Sequence, residues 1–262
     1  MKKATEREIS EIVKYIKDDV VNCLYMYIDI KVYGTYVDVW YDKVNENYDL
    51  IAMKYHDSFQ VYSSCPESAD LTGVIELLKN NKPAMINARK GLIDRLETAF
   101  KDTYTRDGGF ILQLKRFVSV EDNEFNVEVA RLDDVDEIAE LISSDPYYSD
   151  SYTFEEIRAQ LKDRMTTNMG VSFIIRENGV IIAHNSITAQ VDDICVASML
   201  IVHHDWRQTN AAIVIEKFII DYVNRQGKKL FGFSTDRRRR KQFEMMGNPI
   251  VAEYGKLIRK TK

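Results

Sequence analysis

The stretch from Val202 to Ala212, VHHDWRQTNAA, decides how this chain reads. The run ICVASMLIV (194–202) enters it with the composition of a strand. The run from Ala211 to Ile220 leaves it with the apolar spacing of a helix. A helix N-terminus holds several unsatisfied N–H groups and about half a positive charge. Asp or Glu in the first turn usually complements that charge, yet the first acid here, Glu216, comes only in the second turn. Arg207 stands just ahead of the helix. Such an end suits an external anion such as a pyrophosphate. A cap from the side chain of Thr209 or Asn210 would serve it equally. Loops that hold phosphates usually depend on glycine for φ > 0 and close approach, and this one has none. Asparagine is one of the few other residues that enter the left-handed region readily, so Asn210 can keep the turn. Ala212 is small enough to leave the approach open.

The rest of the sequence bounds what such a loop could serve. The chain has 262 residues, 45% hydrophobic and 29% charged, enough for one large or two small domains with proper cores. Its 4 prolines and 11 glycines are scattered, which argues against long disordered linkers. A net charge of −5 lacks the basic excess of a nucleic-acid binder. The basic run from Arg237 to Arg240 reads as a solvated helix face. Cys23, Cys65 and Cys195 are widely spaced, form no CxxC pair and fit a reducing compartment. The N-terminus lacks an apolar signal region, and no run approaches the ~18 apolar residues of a membrane span. The expectation is a soluble, cytoplasmic protein with no nucleic-acid and no membrane partner.

Thr5 and Glu8 form a capping-box pattern ahead of Ile9, Ile12, Val13, Ile16 and Val20 at helical spacing. LYMYIDIKVYG (24–34), TYVDVWYDK (35–43) and YDLIAMKYHDSFQVYSS (48–64) are rich in Tyr, Val and Ile and read as an antiparallel meander. A helix (69–80), a short strand (83–88), a helix (89–101) and a strand (109–120) follow. The polar junction VEDNEFN (120–126) predicts two domains, 1–125 and 126–262. The second half opens with a strand (127–132), an acidic helix start (133–142), the loop SSDPYYSDSYT (143–153) and a helix (154–165). Three strands (170–177, 179–189, 194–202), a helix (210–226), a strand (228–234), a helix (236–246) and a strand (249–258) complete it. Both halves run helix, three strands, helix, strand, helix, strand, which suggests an internal duplication. The expected class is α/β (mixed α+β), with a mixed, mostly antiparallel sheet flanked by helices and two similar halves in tandem.

The opening stretch resembles the acetyl-CoA loop of the GNAT-type N-acetyltransferases, a strand-end Val-x-Pro-x-[Tyr/Trp]-Arg followed by small residues at glycine spacing. Val202, Trp206 and Arg207 match, and His204 replaces the proline. In the core signature [Gln/Arg]-x-x-Gly-x-[Gly/Ala], Arg207 takes the first place, Asn210 the glycine and Ala212 the last. RRRRKQFEMMGN (237–248) resembles the family's second motif. Glu244 and Gly247 match it, Phe243 stands where a tyrosine belongs, and Asn248 replaces a phenylalanine. The resemblance covers 126–262. The first half resembles accessory halves that precede GNAT domains in some two-part members.

The resemblance implies an acetyl-CoA-dependent N-acetyltransferase with acetyl-CoA as co-substrate, no metal, and a small amine or amino-acid-like acceptor that attacks the thioester directly. Leu200, Ile201 and Val202 would pair with the pantetheine arm where their strand splays from its neighbour. The N–H groups of Arg207, Gln208, Thr209, Asn210, Ala211 and Ala212 would hold the pyrophosphate. Phe243 can pack against the pantetheine but has no proton for a departing thiolate. Loss of one acid typically costs ~10²–10⁴-fold. A non-catalytic acyl-CoA-binding or sensing protein is therefore the alternative, and a structural protein with a vacant cleft is a third reading.

Period-2 alternation puts Val196, Ser198, Leu200 and Val202 on one face of their strand. Ser198, the only polar residue there, is a candidate to orient water or substrate, or a satisfied core hydroxyl. His203, at the strand end, is a candidate proton acceptor; the plainer reading of His184, His203 and His204 is surface or turn histidines. The two adjacent histidines find no third metal ligand at useful spacing. Asp145, Tyr147 and Tyr148 offer charge and aromatic faces to a cationic amine, or a surface turn built on Asp-Pro. The sequence leaves the acceptor open, and equally a homodimer.

Overall fold

A computed structural model describes residues 1–117, 125–150 and 152–260, with the side chains of all but Thr35 and Tyr147. Residues 120–124, most of the polar junction, thus lie outside the described residues. Spatial contacts group Met1–Ile111 with Ser234–Asp236 and Ile250–Lys262 in one unit, and Leu112–Phe233 with Arg237–Pro249 in a second.

The chain begins with β1 (Lys2–Lys3), α1 (Glu6–Lys17), α2 (Leu24–Tyr33), β2 (Asp38–Val44), β3 (Asn47–Tyr55) and β4 (Ser58–Tyr62). It continues through α3 (Thr72–Asn81), β5 (Met85–Arg89), α4 (Lys90–Phe100) and β6 (Tyr104–Leu114). The second unit holds β7 (Val127–Val129), α5 (Val135–Ser143), α6 (Pro146–Ser149), α7 (Phe154–Thr166), β8 (Val171–Glu177) and β9 (Val180–Val191). β10 (Ile194–Val202), α8 (Ala211–Arg225), β11 (Lys229–Ser234) and α9 (Arg237–Met245) follow, and β12 (Ile250–Arg259) ends the chain.

α1 starts where the capping box predicts: Thr5 N–H donates to the Glu8 carboxylate at 2.8 Å, and Glu8 N–H to Thr5 Oγ1 at 3.4 Å. The expected first strand of the meander is instead a helix, α2. Leu24, Met26, Tyr27, Ile28 and Ile30 are all buried. A run apolar on nearly every side carries no period that separates buried helix from strand. The three antiparallel strands come from 35–43 and from 48–64, which splits into β3 and β4 at a turn where His56 has φ 50°.

In the first unit the strand order is β1-β2-β3-β4-β5-β12. β4 and β5 are parallel and the other pairs antiparallel. Phe59, Val74, Leu78, Ile86, Leu96 and Leu257 share its core. The last strand, expected with residues 126–262, lies in this sheet: Tyr254 to Ile258 pair with Arg89 to Met85. Gly255 allows the close fit, since a side chain there would meet Ile93 atoms at 2.8 Å.

In the second unit the order is β11-β10-β9-β8-β7, with β10 and β11 parallel and the rest antiparallel. Successive residues of a strand point to opposite faces. Ile174 therefore joins the α5 and α7 cluster, while Phe173 packs on Phe218 and Tyr222 of α8. Helices cover both faces. In each unit the third strand of a meander (β4, β10) passes through a helix (α3, α8) into a parallel neighbour (β5, β11), as the repeated element order predicts. Among the described residues no helix is long and apolar enough to cross a membrane.

Candidate functional site

β10 pairs with β11 only from Ile194↔Lys229 to Ala197↔Gly232, although both strands continue. Ser198, Ile201 and Val202 keep their partners on β9, while residues 198–202 part from β11. Leu200, Ile201 and Val202 lie on the parted segment, as the resemblance implies. Ile201 buries its side chain among the α5 and α7 residues, leaving its backbone as the group that can serve a ligand.

Within this segment the ladder with β9 slips between Ser198 and Ile201, so that Met199 and Leu200 oppose the single residue Asn185. This is a β-bulge, and Met199 carries it with φ 65°, a strained value for a side chain of its size. The extra residue interrupts the strict alternation expected along 196–202, and Met199 and Ile201 both face the α5 and α7 core. His184 underlies the bulge. Its Nδ1 lies 3.0 Å from the Met199 carbonyl and its Nε2 3.2 Å from Ser172 Oγ. It is fully buried, not a surface or turn histidine, and burial pushes its pKa down to about 4. Ser198 is the first residue past the last β11 pair and is half-buried; its carbonyl accepts from Ser186 Oγ at 2.9 Å.

The opening stretch is a turn that needs no glycine. His204–Trp206 form a 3₁₀ turn, and no residue from 203 to 210 takes a positive φ. Asn210 has φ −83° and ψ 8°, so the left-handed conformation expected of it is not used. The tight i→i+3 bonds of such a turn also consume donors. Arg207 N–H donates to His204 O at 3.5 Å, Thr209 N–H to Trp206 O at 3.1 Å, and Ala211 N–H to Thr209 Oγ1 at 3.3 Å. Three of the six N–H groups expected to hold a pyrophosphate are therefore engaged inside the loop. The first turn of α8 carries no acid, and its N-cap Asn210 makes no side-chain cap. Gln208 and Thr209 are exposed, and Ala212 is half-buried. Trp206 stacks edge-on against Phe125, with centroids 5.9 Å apart.

α3, the counterpart of α8 in the first unit, is closed by the protein itself. Asp70 Oδ1 accepts from Thr72 N–H at 2.9 Å and from Thr72 Oγ1 at 2.7 Å, which holds the carboxyl below its usual range. An anion cradle is consistent with α8 and not with α3.

Arg207 ties the candidate cofactor loop to the candidate acceptor loop. Its Nε donates to Val202 O at 3.2 Å and its Nη2 lies 3.2 Å from Asp145 Oδ2, the two side chains being 52% and 25% exposed. Asp145 thus already has a cationic partner within the protein. Tyr148 packs against the α5 and α7 cluster, which leaves it as part of that core's edge, and the side chain of Tyr147 lies outside the described residues. His203 Nδ1 accepts from Asp205 N–H at 3.4 Å, a long bond within the turn. Contrary to the spacing argument, Asp205 adds a third metal-ligating group to His203 and His204.

Phe243 is 4% exposed, with its ring 6.1 Å from that of Phe117 and 5.4 Å below the Arg239 guanidinium. Arg239 in turn pairs with Glu216 on α8, whose carboxyl burial raises its pKa despite the arginine. The basic run is therefore partly structural: Arg239 and Arg240 hold Glu216 and Glu244. The signal missed in the sequence was Glu216, an acid set among the apolar residues Val214, Ile215 and Phe218 of α8.

No family model matches the sequence, and no curated protein matches it. Solved structures do. A Drosophila protein matches with a TM-score of 0.67 at 12% identity, over 99% of this chain and 98% of its own. A GCN5-related N-acetyltransferase from Kribbella flavida gives 0.59 at 14% identity, over 81% and 87%. A tandem GNAT protein from the clavulanic acid biosynthesis pathway gives 0.56 at 10%, over 84% and 82%. Likeness at these identities speaks for architecture alone. The chain has the fold of the GCN5-related N-acetyltransferases, and its match to a tandem member extends over both halves.

Proposed function

We propose that the second unit binds acetyl-CoA and that the chain is an N-acetyltransferase acting on a small amine or amino-acid-like acceptor. The observation that carries this reading is the parting of β10 from β11 after Ala197 and Gly232, just upstream of an acid-free helix N-terminus. Strands that stop pairing leave backbone groups in need of partners. Leu200, Ile201 and Val202 would offer theirs to the pantetheine amides. The first turn of α8, with Ala212, would receive the pyrophosphate. Arg207 would add its charge on leaving Asp145.

Acyl transfer by direct attack needs the amine held against the thioester carbonyl, a route for the ammonium proton and support for the developing oxyanion. The amine nitrogen bonds to the carbonyl carbon, the carbon–sulfur bond breaks, and the thiolate takes up a proton. Ser198, at the mouth of the parted strands, would orient the amine or the water that receives its proton. The buried His184 is excluded from that task by its position beneath the bulge.

Phe243 favours a second reading, a non-catalytic acyl-CoA-binding or sensing protein. Its ring is packed into the protein and brings no proton to a leaving thiolate. A thermal-shift series with acetyl-CoA, CoA and ATP separates these readings from an empty cleft. The first two ligands should raise Tm through linkage, and no rise at saturating acetyl-CoA would overturn both readings. Release of free thiol with a panel of amines then selects the enzyme. Binding without release across the panel selects the sensor.

A further inference from the structure

His203, His204 and Asp205 follow one another in the turn after β10, and their metal-ligating atoms all lie within 4.8 Å of one another. They are the one such group of three among the described residues. His204 Nε2 is 3.0 Å from Asp205 Oδ1, and His203 Nδ1 is 3.7 Å from Asp205 Oδ2. Donor atoms sharing a tetrahedral zinc ion with bonds of ~2.0–2.2 Å are themselves separated by about 3.3–3.6 Å, so these spacings bracket a ligand set. The two imidazoles lie with centroids 4.2 Å apart and planes inclined by 38°, which brings both toward the same carboxylate.

The hydrogen bonding within the turn is compatible with such a set. His203 Nδ1 accepts the Asp205 N–H, and the same nitrogen lies within reach of the Asp205 carboxylate. The hydrogen bond that Nδ1 would give up is long, at 3.4 Å, and correspondingly weak. His204 and Asp205 are 71% and 68% exposed, so an ion can reach them from solvent without any rearrangement of the core.

We propose that His203 Nδ1, His204 Nε2 and an Asp205 carboxylate oxygen form a binding site for a divalent transition-metal ion of the zinc class. Two imidazoles and one carboxylate suit zinc, nickel or copper and not the harder magnesium or calcium. Three protein ligands leave the ion an open position for water or an exchangeable anion. The ion would bridge the end of β10 to the 3₁₀ turn that precedes α8. The site stands on side chains that the acyl-transfer reading does not use, so either can fail alone.

Isothermal titration of the full chain with ZnCl2, and separately with MgCl2, tests the site. Saturable zinc binding at one ion per chain is expected, with no saturable magnesium binding. His204→Ala and Asp205→Asn should each weaken zinc at least about tenfold, since even outer partners of metal ligands are worth ~10–100-fold. Cys65→Ser, which removes the exposed thiol as a competing ligand, should leave the affinity unchanged. Circular dichroism of each variant confirms that these exposed substitutions keep the fold. Absence of saturable zinc binding, zinc binding that survives both His204→Ala and Asp205→Asn, or binding lost in Cys65→Ser would each overturn the proposal.

Discussion

Asp145→Asn should tighten acetyl-CoA binding, although it removes a charged group from the candidate site. The pair it forms with Arg207 spans 3.2 Å between side chains that are 52% and 25% exposed. Exposed ion pairs of this kind contribute roughly 0.2–1 kcal/mol. If Arg207 must leave Asp145 to meet a pyrophosphate, that energy opposes ligand binding, and its removal corresponds to about 1.4- to 5-fold tighter binding. Asparagine keeps the size of the side chain, and the turn bond from Tyr148 N–H goes to the main-chain oxygen of residue 145, which the substitution leaves in place. Arg207→Gln should weaken binding by about tenfold or more, the loss of a charge-assisted hydrogen bond. Because Asp145 acts through Arg207, adding Asp145→Asn to Arg207→Gln should change nothing further. Titration calorimetry of the four proteins with acetyl-CoA at low salt reads all of these, and the Asp145→Asn effect should shrink as salt screens the exposed pair. Weaker binding in Asp145→Asn, or an equal Asp145→Asn effect in the absence of Arg207, would refute the competition.

Other consequences follow from buried groups. His184 is favoured neutral in the folded state, with its pKa lowered from 6.5 to about 4. Its contribution is therefore intact above pH 6.5 and lost as pH falls toward 4, by about 3 kcal/mol in all, and His184→Gln should flatten a chemical-denaturation profile over that window. Asp29 is the opposite case: burial raises its carboxyl to about 7 despite the hydrogen bond from Gln60 at 2.7 Å. Stability should fall as pH rises from 4 to 7, by at most about 4 kcal/mol, and Asp29→Asn should raise the denaturation midpoint at pH 8 while having little effect at pH 4. Phe243→Ala should cost about 3–5 kcal/mol through the cavity it leaves beside Phe117; a change under about 1 kcal/mol in urea titrations would mean that the ring is not the core residue its burial indicates.

Much of the fold was legible because its determinants are local. The capping box at Thr5 and Glu8, the strand ICVASMLIV and the helix after Asn210 fall where pattern and caps put them. α2 was illegible because burial on nearly all sides erases the period that would mark it. The placement of β12 was illegible for a different reason. Its pairing with β5 and the fit of Gly255 against Ile93 are contacts between residues more than 150 positions apart, which no local pattern encodes. At the site, the family resemblance pointed to the loop and to a parting of β10 from its neighbour. It did not reveal that the loop closes as a 3₁₀ turn, that Arg207 is held by Asp145, or that the turn gathers Asp205 beside two histidines. Those depend on where side chains point once the strand has ended.

Hydrogen–deuterium exchange with and without acetyl-CoA reports where the ligand lies as well as whether it binds, and so probes the parted end of β10 and the start of α8 together. Slowed exchange is expected at residues 198–202 and in the first turn of α8, with the equivalent turn of α3 unchanged. Protection confined to the first unit, or none at ligand saturation, would contradict binding of acetyl-CoA at this site.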